Sequence, residues 1–322
     1  MCPVGRIRIV SGGVWRRLAV SLVGVLVLVV AVGCEGGDEA EASGDKVHVT
    51  TTTTMITDLV RRVGGERVEV TGLMGPGVDP HLYKASQGDV EALLEADAVF
   101  YNGLFLEGQM GEILEKTGQQ KPTVAVTEGI PEDELLESVR YEGQADPHVW
   151  FDATLWRMTV DPVVRELSEL DPEGVEGYER RGEEYKKEID ELHSYVEREI
   201  SSIPEDRRVL VTAHDAFRYF GRRYGMEVRG LQGISTEAEA GAGDVRRLAD
   251  YLVENEIPAI FVESSVPRKS VEAVQAACRD RGWELEIGGT LYSDAGGDAG
   301  TEAETYTGMF RANVQTITGA LK

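Results

Sequence analysis

Only five histidines occur in the 322 residues, and three of them close apolar runs beside a carboxylate. They are His81 in Asp79-Pro80-His81, His148 in Asp146-Pro147-His148, and His214 in Thr212-Ala213-His214-Asp215. Two acids stand in comparable places, Glu263 after Ile260-Phe261-Val262 and Asp294 after Tyr292-Ser293. Imidazole and carboxylate together form a good donor set for a divalent transition metal. Each residue alone has an ordinary use. A histidine in a proline-bounded loop can simply be hydrogen-bonded, and Glu263 can start the helix near Pro267. Asp294 can make a turn ahead of Gly296-Gly297, and Asp215 can cap a helix beginning at Ala216. The case for a metal rests on the combination. His48, inside the first strand, and His193, off the apolar stripe of a long helix, are read as structural or solvated.

The elements that must position these residues alternate. Val47 to Thr52, Arg67 to Met74, Ala98 to Tyr101 and Thr123 to Val126 read as strands, with helical runs between them. The rhythm returns with strands at Val209 to Thr212, Glu227 to Gly230, Ala259 to Val262 and Glu284 to Ile287. Strands separated by helices imply parallel pairing with crossovers. The fold class is therefore α/β: two lobes, each a roughly four-stranded parallel sheet flanked by helices, at 46–170 and 204–322. Residues 171–203 connect them. Asp171-Pro172 reads as an N-cap with a first-turn proline. Tyr178, Tyr185, Ile189, Leu192, Val196 and Ile200 then lie on one helical stripe. About 28 helical residues would span roughly 40 Å, enough to cross both lobes and permit only small hinge motion. Asp161-Pro162, inside another helical run, predicts a kink. In such folds sites gather at the carboxyl ends of strands. That rule places both Asp-Pro-His turns on the first lobe and His214, Glu263 and Asp294 on the second, facing one cleft.

Residues 1–33 read as a signal peptide. Arg6, Arg8, Arg16 and Arg17 precede an uncharged run from Leu18 to Val32, too short for a bilayer span of about 20 residues. The run ends in Ala31-Val32-Gly33-Cys34, which is similar to a bacterial lipoprotein cleavage box and would make Cys34 the acylated first residue. Residues 34–45, rich in Gly, Ala, Ser and acid, read as a flexible tether. With Cys2 removed and Cys34 acylated, Cys278 alone remains. No intramolecular disulfide is then available, and Cys278 reads as a buried small hydrophobe. The formal net charge is −24, and −28 once the four leader arginines are gone. So acidic a chain is not expected to bind nucleic acid.

Six motifs in order carry a resemblance: Gly-Val-Asp-Pro-His-Leu-Tyr at 77–83, Asp-Pro-His-Val-Trp-Phe-Asp at 146–152, Val-Thr-Ala-His-Asp-Ala-Phe at 211–217, Gly-Ile-Ser-Thr-Glu-Ala-Glu at 233–239, Phe-Val-Glu-Ser-Ser at 261–265 and Leu-Tyr-Ser-Asp-Ala-Gly at 291–296. From Lys46 to Lys322 the chain resembles the metal-binding lipoproteins, or solute-binding proteins, of zinc and manganese ABC transporters (cluster A-I, zinc-uptake-A/TroA-like). The resemblance implies extracytoplasmic capture of Mn²⁺ or Zn²⁺ by a lipid-anchored monomer and delivery to an ABC-transporter membrane permease. It implies metal binding at His81, His148, Asp294 and either His214 or Glu263. Zinc binders resemble a three-histidine site, while manganese binders resemble two histidines with one Glu and one Asp, and the sequence offers both sets. Residues 131–145, where zinc binders often carry a His-rich loop, hold acids and no histidine. An enzyme is not expected, since neither a nucleotide loop nor an HExxH pattern occurs. The alternatives are a metal-dependent hydrolase and a surface adhesin with a structural metal.

Overall fold

The computed structural model describes residues 46–138 and 143–322. The signal peptide, Cys34 and the tether lie outside the described residues. The described residues belong to one compact unit. Among the described residues, no helix is long and apolar enough to cross a membrane.

The first lobe opens with β1 (Val47–Thr51), α1 (Thr54–Gly64), β2 (Val68–Gly72), α2 (Gln87–Glu95), β3 (Ala98–Tyr101), α3 (Gly111–Gly118) and β4 (Thr123–Ala125). Its four strands are parallel in the order β2-β1-β3-β4. β1 is central, which explains why Val47, Val49, Thr50 and Thr51 are all buried. The chain leaves β1 to one side and returns on the other, so the order switches between β1 and β3. The crevice outside their carboxyl ends is where ligands collect.

Two shorter helices follow, α4 (Ala153–Met158) and α5 (Val160–Leu170). They are one helical run broken at Thr159. Pro162 has no amide hydrogen, and its ring cannot tolerate the Met158 carbonyl in a continuous helix, so the kink falls one turn earlier. The long connector is α6 (Val175–Ser201), 27 residues with the predicted stripe fully buried. Asp171 stands at the N-cap position with Pro172 after it, as read, but of a 3₁₀ turn, Pro172–Gly174, that leads into α6. The Asp171 carboxylate takes Arg67 Nε and Nη2 at 2.6 and 2.7 Å and Tyr178 Oη at 2.6 Å. The bidentate guanidinium is its strongest partner, and Tyr178 keeps the carboxylate beside the first turn of α6.

The second lobe comprises β5 (Val209–Thr212), α7 (Arg218–Tyr224), β6 (Glu227–Gly230), α8 (Ala242–Glu254), β7 (Ala259–Glu263), α9 (Lys269–Arg279), β8 (Glu286–Leu291) and α10 (Tyr306–Leu321). Its four strands form two parallel pairs, β5-β6 and β7-β8, with β5 alongside β7. Cys278 is buried in α9, as its helical pattern suggested.

The lobes share a core. α6 packs against α1, α4 and α5 on one side and α7 and α10 on the other. Phe151 of the first lobe stacks on Phe217 of the second with ring centroids 4.1 Å apart. Trp156 stacks on Tyr306 of α10 at 5.2 Å. All four rings are fully buried. An apolar junction of this kind restrains relative motion far more than a polar interface would.

Candidate metal centre

The two Asp-Pro-His turns are built alike. In the loop after β2, Asp79 Oδ1 accepts the His81 amide hydrogen at 2.9 Å. In the segment before α4, Asp146 Oδ1 accepts the His148 amide hydrogen at 3.1 Å. An aspartate that bonds its own backbone two residues on makes a tight turn, and the proline between fixes φ. The turns differ at the ring. Asp146 Oδ1 also holds His148 Nδ1 at 2.8 Å, and its other oxygen takes Arg218 Nη1 of α7 at 3.2 Å. Tyr219 Oη donates to the Asp146 carbonyl at 2.9 Å, and Asn102 Nδ2 donates to that of Pro147 at 3.1 Å.

On the second lobe His214 follows β5 directly. Glu263, the last residue of β7, accepts its amide hydrogen on Oε1 at 2.8 Å and contacts its Nδ1 through Oε2 at 2.5 Å. Asp294 follows β8. Ser293 just before it is held through its carbonyl by Trp150 Nε1 at 2.9 Å, and Gly296 donates to Thr54 Oγ1 at 2.7 Å. First-lobe side chains thus fix the Asp294 loop. Ser265 Oγ reaches Asp294 Oδ2 at 3.3 Å.

His81, His148, His214 and Asp294 each bring one donor atom into a group whose members lie within 4.8 Å of one another. His81 Nε2 is 3.3 Å from His148 Nε2. His148 Nε2 is 3.6 Å from Asp294 Oδ1, and His214 Nε2 is 3.3 Å from Asp294 Oδ2. Bonds of about 2.0–2.2 Å around a tetrahedral ion place neighbouring donors about 3.3–3.6 Å apart. All four residues are buried, and His214 Nε2 and Asp294 Oδ1 have no hydrogen-bond partner. A buried carboxylate oxygen without a donor is costly unless a cation faces it. The carboxylates on Nδ1 of His148 and His214 direct both Nε2 atoms toward that point, the arrangement that orients metal-ligating imidazoles.

The electrostatics agree. Burial pushes the His81 pKa down to about 3, so this ring is neutral. Burial acts the same way on His214, but the Glu263 and Asp294 carboxylates outweigh it and hold its pKa well above the ordinary value. Burial would raise Asp294, yet the surrounding imidazoles, His214 first, keep it far below the usual carboxylate range.

Four of the five residues singled out in the sequence therefore converge. Glu263 does not enter that group and contacts His214 instead. Asp215 caps no helix, because α7 begins at Arg218. Its Oδ1 accepts the Gly230 amide hydrogen at 2.8 Å, tying the end of β6. His193 meets Tyr224 Oη at 3.3 Å, and the His48 side chain lies at the surface. Asp146, Arg218 and Thr236 were not marked as site residues. Only the Asp-Pro-His spacing signalled Asp146. Thr236 lies within the motif at 233–239, which sequence reading gave no role, and Arg218 arrives from a distant element with no local pattern.

A two-lobed α/β protein with one long connecting helix and a buried three-histidine, one-aspartate group in its cleft is a metal-binding fold. Residues 49–320 match the family described as ZnuA, zinc-uptake complex component A periplasmic, and the chain belongs to that family. It is 50% identical to the manganese-binding lipoprotein MntA of Bacillus subtilis (strain 168), covering 90% of this chain and 94% of that one. The structure of the periplasmic zinc-binding protein TroA from Treponema pallidum superposes with a TM-score of 0.84 at 49% identity, covering 86% of this chain and 99% of that one. Fe(III)-bound YtgA from Chlamydia trachomatis has a TM-score of 0.77 at 28% identity, covering 86% of this chain and 98% of that one.

Proposed function

We propose that this protein captures Mn²⁺ or Zn²⁺ outside the cytoplasm and delivers the ion to the membrane permease of an ABC transporter. The ligands are His81 and His148 from the first lobe and His214 and Asp294 from the second. Glu263 orients His214 and balances charge from behind. The observation that carries this reading is the convergence of His81, His148, His214 and Asp294, all buried, with their donor atoms within 4.8 Å of one another.

The reading extends to a lipid anchor on the bacterial membrane, on the periplasmic side or at the cell surface. Cys34 carries lipid, residues 34–45 tether the folded part, and the protein works as a monomer. Similarity to lipoproteins of manganese transport supports the anchor. The protein is not an enzyme: four residues surround the ion, whereas a catalytic metal keeps an open position for water beside a general base. Three imidazoles and one carboxylate accept either ion, and Zn²⁺ binds such sets more tightly than Mn²⁺.

The test is metal content by mass spectrometry of the purified chain, followed by competition of Mn²⁺ against Zn²⁺, with His81→Ala and Asp294→Ala as controls. One ion per wild-type chain and none in either variant is the expected result. A wild-type chain that binds no divalent ion, or a loaded chain that turns over phosphoesters or peptides, would overturn the reading.

A further inference from the structure

Of the six motifs that carry the resemblance, the one at residues 233–239 supplies no member of the four-residue group. The structure gives it another position. Thr236 Oγ1 donates to Asp79 Oδ2 at 2.6 Å, from the second lobe to the first. The next residue, Glu237, accepts from Gln109 Nε2 at 2.6 Å, again across the cleft. Ile234, Ser235 and Glu237 line the same cavity as His81. This segment therefore lies beside the most exposed of the four, His81 at 3% against 1% for Asp294 and 0% for His148 and His214.

His81 is also held differently. Carboxylates fix the rings of His148 and His214 at Nδ1. Among the described residues, no carboxylate is hydrogen-bonded to a ring nitrogen of His81, and His148 Nε2 is the one polar atom within hydrogen-bond distance of its ring. The orientation of His81 must come from its backbone. That backbone is pinned by Asp79, one of whose oxygens takes the His81 amide while the other takes Thr236. Pro80 fixes the φ between them. Rotation of the Asp79 side chain is the remaining freedom, and the hydroxyl of Thr236, itself buried, removes it.

We propose that Thr236 is a positioning residue for metal retention: through Asp79 it locks the His81 turn from the opposite lobe, so that release of the ion requires this cross-cleft bond to break. The inference rests on the metal-capture reading above. It assigns the motif at 233–239 to holding the ion rather than to ligating it. The Gln109–Glu237 bond, between exposed side chains, is a weaker second tie.

The experiment is stopped-flow release of Zn²⁺, and separately Mn²⁺, from the loaded full chain into a chromophoric chelator. It compares wild type, Thr236→Val and Thr236→Ser, with the thermal midpoint of each metal-free protein measured alongside. Loss of a hydrogen bond to a carboxylate predicts release about tenfold faster in Thr236→Val. Thr236→Ser, which keeps the hydroxyl, should release at the wild-type rate. Thr236→Ser should keep the wild-type metal-free midpoint, while Thr236→Val should melt somewhat lower, since the Asp79 bond is present without metal. Wild-type release from Thr236→Val would overturn the proposal, as would Thr236→Ser as fast as Thr236→Val. A Val274→Ala chain, destabilised by a cavity in α9, should release at the wild-type rate; release as fast as that of Thr236→Val would assign Thr236 a merely structural role and equally overturn the proposal. Failure of the wild-type chain to take up metal would defeat the capture reading itself, an outcome separate from these.

Discussion

His81 Nε2 and His148 Nε2 face each other across 3.3 Å, although the two residues come from separate loops of the first lobe. Neutral imidazoles whose lone pairs point at one another repel, and only a proton or a cation between them makes the approach favourable. With Asp146 holding His148 Nδ1 and burial keeping His81 uncharged, a cation is the better occupant.

Removing either side of the group should then end tight binding. His81→Ala deletes the outermost donor, and Asp294→Ala deletes the one carboxylate in the group. Both should lose stoichiometric Zn²⁺ and Mn²⁺ in equilibrium dialysis while keeping the wild-type far-UV spectrum. Retention of one ion per chain by Asp294→Ala would place the metal elsewhere.

Glu263→Gln and Asp146→Asn test the supporting carboxylates. Loss of an orienting partner typically weakens metal affinity about 10–100-fold without emptying the site. Each variant should still load fully at saturating metal, and X-ray absorption should give an unchanged number of ligands. A coordination number lower by one in Glu263→Gln would make Glu263 a ligand.

How far the sequence reached depends on locality. The strands, the break near Pro162 and the buried stripe of α6 follow from periodicity and backbone rules within one segment, and all are visible in the chain. Asp171 does stand at the helix start, but its main partner, Arg67, lies far upstream and only the fold brings it near. The four converging residues were legible as types at strand ends. The choice between His214 and Glu263 was not, because both lie at the carboxyl ends of neighbouring strands. What separates them is that the His214 imidazole faces the group while the Glu263 carboxylate lies on its Nδ1, a matter of β5 lying beside β7.

Metal affinity should fall with pH. In the metal-free protein His214 has its pKa held well above the ordinary value, so around neutral pH an ion must displace its proton. One displaced proton weakens apparent affinity about tenfold per pH unit below that pKa. His81, with a pKa near 3, adds no further dependence until strongly acid pH. For folding of the metal-free chain the signs oppose. The raised His214 contributes stability that is complete below about pH 6.5 and lost as pH rises through its folded pKa. The depressed His81 removes stability as pH falls from about 6.5 toward 3. The gain in thermal midpoint on adding Zn²⁺ should therefore be larger at pH 8 than at pH 6, which calorimetry can measure. A pH-independent gain would mean that no proton leaves the site.

Phe151 and Phe217 make the last prediction. Their stacking joins the lobes directly behind the site, with Trp156 on Tyr306 beside it and α6 across both. Opening the cleft by a wide hinge would expose these rings to water. Loading and release should therefore proceed by local movement of the ligand loops, and small-angle scattering should give nearly the same radius of gyration with and without metal. Replacing either ring by alanine creates a buried cavity and costs about 3–5 kcal/mol of stability. Phe151→Ala and Phe217→Ala should destabilise less than additively when combined, because each removes the other's partner. If one of these variants folds and shows a metal-dependent change in radius that the wild type lacks, the stacked pair is what limits opening. If the wild type itself contracts strongly on loading, the shared core does not act as a restraint.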